Sequence, residues 1–165
     1  MDNKKLTFSA LLIALGTLTG HLIYIPVGVA KAFPVQHLIN VLSAVLLGPG
    51  YAVLNAFVIS FLRNILGIGS LLAFPGSMIG ALLAGILYQN FKHKLWAIAG
   101  ELFGTGLLGA AAAYPIAQYL MGSSTAVFFF VIPFSLSAAG GAAIAYLFLK
   151  AVERADDFSY IDELN

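Results

Sequence analysis

The sequence predicts an all-α membrane protein of six transmembrane helices with both termini in the cytoplasm. Charge is the first reason: between Lys5 and Lys150 only Lys31, Arg63, Lys92, Lys94 and Glu101 are charged. Composition is the second, with 61% hydrophobic and 9% charged residues, where a water-facing surface carries about a quarter charged residues. The third is the placement of the basic residues, which sorts the apolar stretches into an alternating set of spans. An outside this poor in charge belongs in lipid, and the few polar groups left inside it are costly to place there.

The apolar segments are Leu6–Ile25, Val35–Leu47, Tyr51–Leu66, Phe74–Phe91, Leu95–Met121 and Ala126–Lys150. The first follows Lys4-Lys5 and resembles a secretory signal, with Ala30-Lys31-Ala32 as a cleavage look-alike. Its run of about 20 apolar residues suits a retained span better than a signal core. The second and third are separated by Gly48-Pro49-Gly50, which favours a reversal over one kinked helix. Six spans put Lys4, Lys5, Lys92, Lys94, Lys150 and Arg154 on one side, with only Lys31 and Arg63 opposite; five spans would reverse the excess. The positive-inside rule therefore selects six. Trp96 beside Lys92 and Lys94 fits an inner aromatic belt. The chain reads as one transmembrane domain, residues 1–150, followed by an acidic cytoplasmic tail, 151–165. Small residues recur at packing spacing, among them Ala10/Ala14, Gly76/Gly80 and Gly100/Gly104, as close helix approach in lipid requires.

In this topology the unusual polar side chains gather at the outer end. His21 and Tyr24 end the first helix, and Lys31 and Phe33 lie in the following loop. Gln36, His37 and Asn40 open the second helix, where i, i+3 and i+4 spacing sets Asn40 beside the other two. Arg63-Asn64 end the third, and Tyr114, Pro115 and Gln118 lie near the end of the fifth. Hydrogen-bonding groups interleaved with rings around one mouth point to a small-molecule pocket. Duller roles compete: Arg63 as a cap or snorkelling cation, Lys31 solvated, the rings as belt residues, and the histidines as packing groups. Glu101, the single acid of the membrane region, lies about two turns from the inner end of its helix. His21, His37 and Glu101 therefore stand at opposite depths, which argues against an intramembrane enzyme.

Other classes are excluded by absence. No G-x-x-x-x-G-K-[ST] is present to cradle ATP, and no G-x-S-x-G, H-E-x-x-H or carboxylate pair supports hydrolysis. Zero cysteines and no acid near either histidine in sequence leave no metal site, and net charge +1 without a basic stripe offers nothing to nucleic acid. No cofactor is expected. A small bundle with a pocket and no motor suggests a binding subunit that draws its energy from partners, with a stand-alone secondary carrier as the alternative.

Several stretches resemble a known family. They are Ile25-Pro-Val-Gly-Val-Ala-Lys-Ala-Phe-Pro-Val-Gln-His37, Leu47-Gly-Pro-Gly-Tyr-Ala52, Phe61-Leu-Arg-Asn64, Leu72-Ala-Phe-Pro-Gly-Ser77, Gly100-Glu-Leu-Phe-Gly-Thr-Gly106, Ala113-Tyr-Pro115 and Phe129-Phe-Val-Ile-Pro133. Together they resemble the ThiW family among the substrate-binding (S) components of energy-coupling factor (ECF) vitamin transporters. The resemblance implies an S-component-like six-helix bundle in the plasma membrane, with ligand held near the outer face. It also implies a transmembrane coupling protein and two ATPase subunits as partners, met through an A-x-x-x-A face that Ala10 and Ala14 match on helix 1. The implied ligand is a thiamine precursor, hydroxyethylthiazole, with thiamine or its pyrimidine half as runners-up. Expected ligand contacts are Lys31, Phe33, Gln36, His37, Asn40, Arg63, Asn64, Tyr114 and Gln118. A neutral thiazole alcohol does not need both Lys31 and Arg63, so one of them is structural or the ligand carries negative charge.

Overall fold

The computed structural model describes residues 3–27, 30–122, 124, 126 and 128–154, with the backbone alone at 21, 25–27, 30 and 31. Six helices follow in order: α1 (Asn3–Leu22), α2 (Pro34–Leu46), α3 (Pro49–Ile65), α4 (Ala73–Phe91), α5 (Lys94–Leu120) and α6 (Val131–Arg154). The expected count and order of helices hold. The all-helical expectation needs one amendment, because α1 stops at Leu22 and the chain then forms a hairpin of β1 (Ile25–Val27) and β2 (Ala30–Ala32). Its register pairs Ile25 with Ala32 and Val27 with Ala30. Pro26 withholds a backbone donor, and Ile25 and Val27 are β-branched, so this stretch suits a strand better than another helical turn.

Helix α2 is the centre of the bundle. Of its 13 residues, 11 are buried, which no other helix approaches. Pro34 starts it at the first-turn position that tolerates proline, and Gly48 at φ 89° reverses the chain into α3. Around α2 the pattern of a soluble protein is inverted. Leu6, Leu11, Leu15, Leu18 and Leu22 of α1 all face outward, as do Phe57, Phe61, Leu82, Ile86, Leu107, Ile144 and Leu147 elsewhere. Ser9, Gln36, Asn40, Ser43, Asn55, Ser60, Arg63, Ser77, Glu101 and Thr105 are buried. Apolar side chains outward and paired polar groups inward is the arrangement an apolar solvent favours. Among the described residues, α5 and α6 are the two helices long and apolar enough to cross a membrane.

Helices α4 and α5 touch almost backbone to backbone. A methyl group at Gly104 would sit 2.7 Å from the Gly80 Cα, well inside carbon–carbon contact at about 3.5–4.0 Å. Next to this contact α5 loosens into π-helix over Gly104–Gly109, and again over Ile116–Leu120 just after Pro115. Proline lacks the N–H for an i→i−4 bond and crowds the preceding turn, which accounts for the second loosening. The last helix runs to Arg154, past the expected end at Lys150, and Glu153 pairs there with Lys94 of α5. The acidic segment 155–165 lies outside the described residues.

Candidate functional site

At the end of the bundle where α1, α3 and α5 finish and α2, α4 and α6 begin lies a cavity of about 490 Å³. That volume is near the lower end of the roughly 300–1,000 Å³ usual for small-molecule sites. One wall is aromatic, made by Phe33, Phe129, Phe130 and Phe134. Phe129 meets Phe130 edge to face at 5.3 Å, and Phe130 lies 6.0 Å from Phe134. The rest of the lining includes the α3–α4 loop (Gly67 to Ser70) and the polar side chains of Gln36, His37, Arg63, Ser77, Thr105 and Ser137.

Two adjacent residues of α2 reach opposite ways. Gln36 turns to α3, donating to Ser60 Oγ at 2.8 Å and accepting from Arg63 Nη1. Arg63 is 1% exposed and sits over the Phe33 ring, its Cζ 3.9 Å from the ring centroid. Its second amino group approaches the carbonyl of Ile68 at 3.5 Å. Asn64, next in the chain, donates to the carbonyls of Ser60 and Ser70 at 2.8 and 3.1 Å. The end of α3 thus fixes the loop that walls the cavity. Phe33 is held in turn by its backbone N–H, which donates to Ser137 Oγ of α6 at 2.7 Å.

His37 points the other way, and here the depth argument fails. Its Nδ1 lies 2.7 Å from Glu101 Oε1, so the two residues that the spans set far apart are a bonded pair. The reason is the shortness of α2. At about 1.5 Å per residue its 13 residues cover about 20 Å, against a hydrocarbon core of about 30 Å. His37 therefore stands about 15 Å from the inner turn at Leu47, close to the level of Glu101, about 10 Å up α5 from Lys94. Asn40 Nδ2 joins the same carboxylate oxygen at 3.0 Å, and Thr105 Oγ1 does so at 3.0 Å. Asn40 also donates to the Ser77 carbonyl at 3.1 Å and accepts from the Ser77 hydroxyl at 3.2 Å, tying α2 to α4. Three polar groups thus converge on Glu101 Oε1, the Thr105 hydroxyl also lying 3.1 Å from the Gly76 carbonyl, while buried Oε2 has no hydrogen-bond partner among the described residues.

Of the side chains expected at the ligand, Phe33, Gln36, His37 and Arg63 line the cavity. Asn40 and Asn64 stand behind its wall and hold it. Tyr114 and Gln118 are not on the lining, and Gln118 is exposed; from that stretch of α5 the cavity takes Ala117 and Met121. The Lys31 and His21 side chains lie outside the described residues. Ser70, Ser77, Thr105 and Ser137 carry no signal that distinguishes them in the sequence from other membrane hydroxyls. Glu101 was visible as the lone acid, but its partner was not. Ala10 and Ala14 are exposed on α1, whereas Thr17, three residues further along, is buried at 7% exposure.

A family model described as thiamine-precursor transporter protein (ThiW) matches residues 6–155. The chain belongs to this family. It is therefore a transporter-family membrane protein whose substrate class is a thiamine precursor. No curated protein and no solved structure matches it.

Proposed function

We propose that this member of the thiamine-precursor transporter family is the substrate-binding subunit of an ECF-type importer, and that it captures hydroxyethylthiazole in the cavity beside α2. The observation that carries this reading is the cavity itself. It is small, has one wall of phenylalanine rings for a flat heterocycle, and opposes them with hydrogen-bonding side chains from α2 to α6. Gln36 and His37 are the polar contacts in this reading, with Arg63 behind Gln36, and Phe33 covers the ring. Arg63 is largely occupied in holding Gln36 and the loop, which makes it the structural cation and suits a neutral ligand.

The energy must come from elsewhere, since the chain has no nucleotide-binding motif. The partners proposed are a transmembrane coupling protein and two ATPase subunits. Exposed Ala10 and Ala14 offer a low surface on α1 against which another helix can lie. The excess of Lys and Arg at the opposite end of the bundle supports a plasma-membrane orientation with six spans, both termini cytoplasmic and the cavity outward. To test the reading, the protein is purified from cells fed thiamine precursors and the co-purifying small molecules are identified by mass spectrometry. Recovery of the thiazole alcohol, with uptake only when coupling subunits are co-expressed, is the expected result. Concentrative uptake by this chain alone would establish a secondary carrier instead.

A further inference from the structure

The floor of the cavity holds a second layer of polar groups that ligand contact alone does not explain. Glu101 is fully buried, and a single one of its oxygens receives His37, Asn40 and Thr105. A proton on Oε1 would leave that oxygen fewer lone pairs for the three groups converging on it, and a proton on Oε2 would have no acceptor. A carboxylate matches this convergence, taking N–H from His37, N–H from Asn40 and the Thr105 O–H that it shares with the Gly76 carbonyl. His37 must then carry its proton on Nδ1. Its Nε2 makes no hydrogen bond among the described residues and is not sealed off. Because His37 is only 7% exposed and lines the cavity, the space Nε2 reaches is the cavity.

We propose that Glu101 is a positioning residue that locks His37 in the Nδ1–H form, so that Nε2 is presented to the ligand as a bare hydrogen-bond acceptor. A neutral imidazole has one donor and one acceptor nitrogen, and the partner of the first decides the role of the second. The site therefore selects a ligand that donates a hydrogen bond at this point. In the thiazole reading, on which this inference rests, the donor is the free hydroxyl of the alcohol. The same ring with its hydroxyl capped, or turned into a phosphate dianion with no hydrogen to give, leaves Nε2 unpaired or facing negative charge. Sites built to bond a polar group discriminate strongly against the analogue that lacks it.

The test uses the full chain in detergent and three probes: the thiazole alcohol, its O-methyl ether and its phosphate ester. Calorimetric titration should show the alcohol binding roughly 5- to 150-fold more tightly than the ether, the range set by one buried hydrogen bond. His37→Ala should bring alcohol and ether to equal affinity. Glu101→Gln, whose amide oxygen can still accept from His37, should keep the preference, and Glu101→Met should lose it. Independently of any ligand, ¹⁵N spectra of histidine-labelled protein, assigned with His37→Gln, should report an unprotonated Nε2 at His37. This second reading decides the matter even if Glu101→Met fails to fold. Equal affinity for alcohol and ether in the unmodified protein, tighter binding of the phosphate ester, or a protonated Nε2 would overturn the proposal. If none of the probes binds while Nε2 is bare, the positioning role stands and the thiazole assignment falls.

Discussion

Replacing Gly80 by alanine should damage both the bundle and the site, and the size of the effect can be worked out from the packing. The added methyl would fall into the Thr105 hydroxyl and come within 2.9 Å of Glu101 Oε2 and 3.0 Å of its carboxyl carbon. Ordinary contact is about 3.5–4.0 Å. Moving α4 away is the obvious relief, but it would open the close α4–α5 approach at Gly104 and lose its packing. Overpacking of this kind costs about 1–3 kcal/mol. Turning Thr105 aside would also sacrifice the one O–H that it shares between Glu101 and the Gly76 carbonyl, at about 0.5–1.5 kcal/mol. The expected loss is therefore about 1.5–4.5 kcal/mol on these combined terms. Because Gly76, Ser77 and Thr105 line the cavity, ligand affinity should fall with it. Gly50→Ala is the control: it lies in α3 with nothing near its missing side chain, and there alanine should be neutral or stabilising by up to about 1 kcal/mol. Thermal unfolding in detergent and calorimetric binding read both effects. If Gly80→Ala melts and binds like the unmodified chain, the α4–α5 contact is not as close as described and the reasoning fails.

Arg63→Lys keeps the charge but loses the guanidinium over Phe33 and the fork that reaches both Gln36 and Ile68; ligand affinity should drop at least tenfold, and an unchanged Kd would remove Arg63 from the site. Asn40→Ala leaves Ser77 and Glu101 short of a donor and should destabilise the protein by about 1–3 kcal/mol in thermal unfolding, although Asn40 does not line the cavity. Trp at both Ala10 and Ala14 should leave folding and ligand binding intact while abolishing co-purification with the coupling subunits; unchanged assembly would exclude this face as the contact. Single cysteines at Ser70 and Ser124 should react with an impermeant thiol reagent added outside intact cells, and one at Lys92 should not; labelling of position 92 would invert the proposed orientation.

The six helices could be read from the sequence because their signal is coarse. Apolar runs are broken by Gly48-Pro49-Gly50, by the glycines around Ser70, by Lys92-His93-Lys94 and by Gly122 to Ser124, and lipid-facing leucines need no partner to be recognised. The hairpin was less visible, since three residues per strand carry little periodicity. The π-helical stretches of α5 had a signal in Gly104, Gly106, Gly109 and Pro115, but the sequence does not say in which direction the extra residues turn the helix. That uncertainty bears directly on Tyr114 and Gln118, whose depth near the outer end of α5 does not say which face of the helix they occupy and which the structure leaves off the cavity lining.

The pairing of His37 with Glu101 was hidden for a different reason. Depth had been assigned by treating every apolar segment as a full span, so the start of a short helix was set at the membrane surface. A segment of 13 residues whose inner turn is fixed by Gly48 must begin well inside the bundle. Its first polar residues are then interior groups, and each needs a partner. Gln36, His37 and Asn40 face three different helices, so the partners had to come from α3, α4 and α5. Among the charged residues of the membrane region only Arg63 and Glu101 lie far enough from a helix start at the inner end to supply them. Arg63 took the amide oxygen of Gln36 and Glu101 took the imidazole N–H. The length of α2 therefore sets the chemistry of the cavity as much as its sequence does, because it carries an acceptor nitrogen down to the level of the one buried acid.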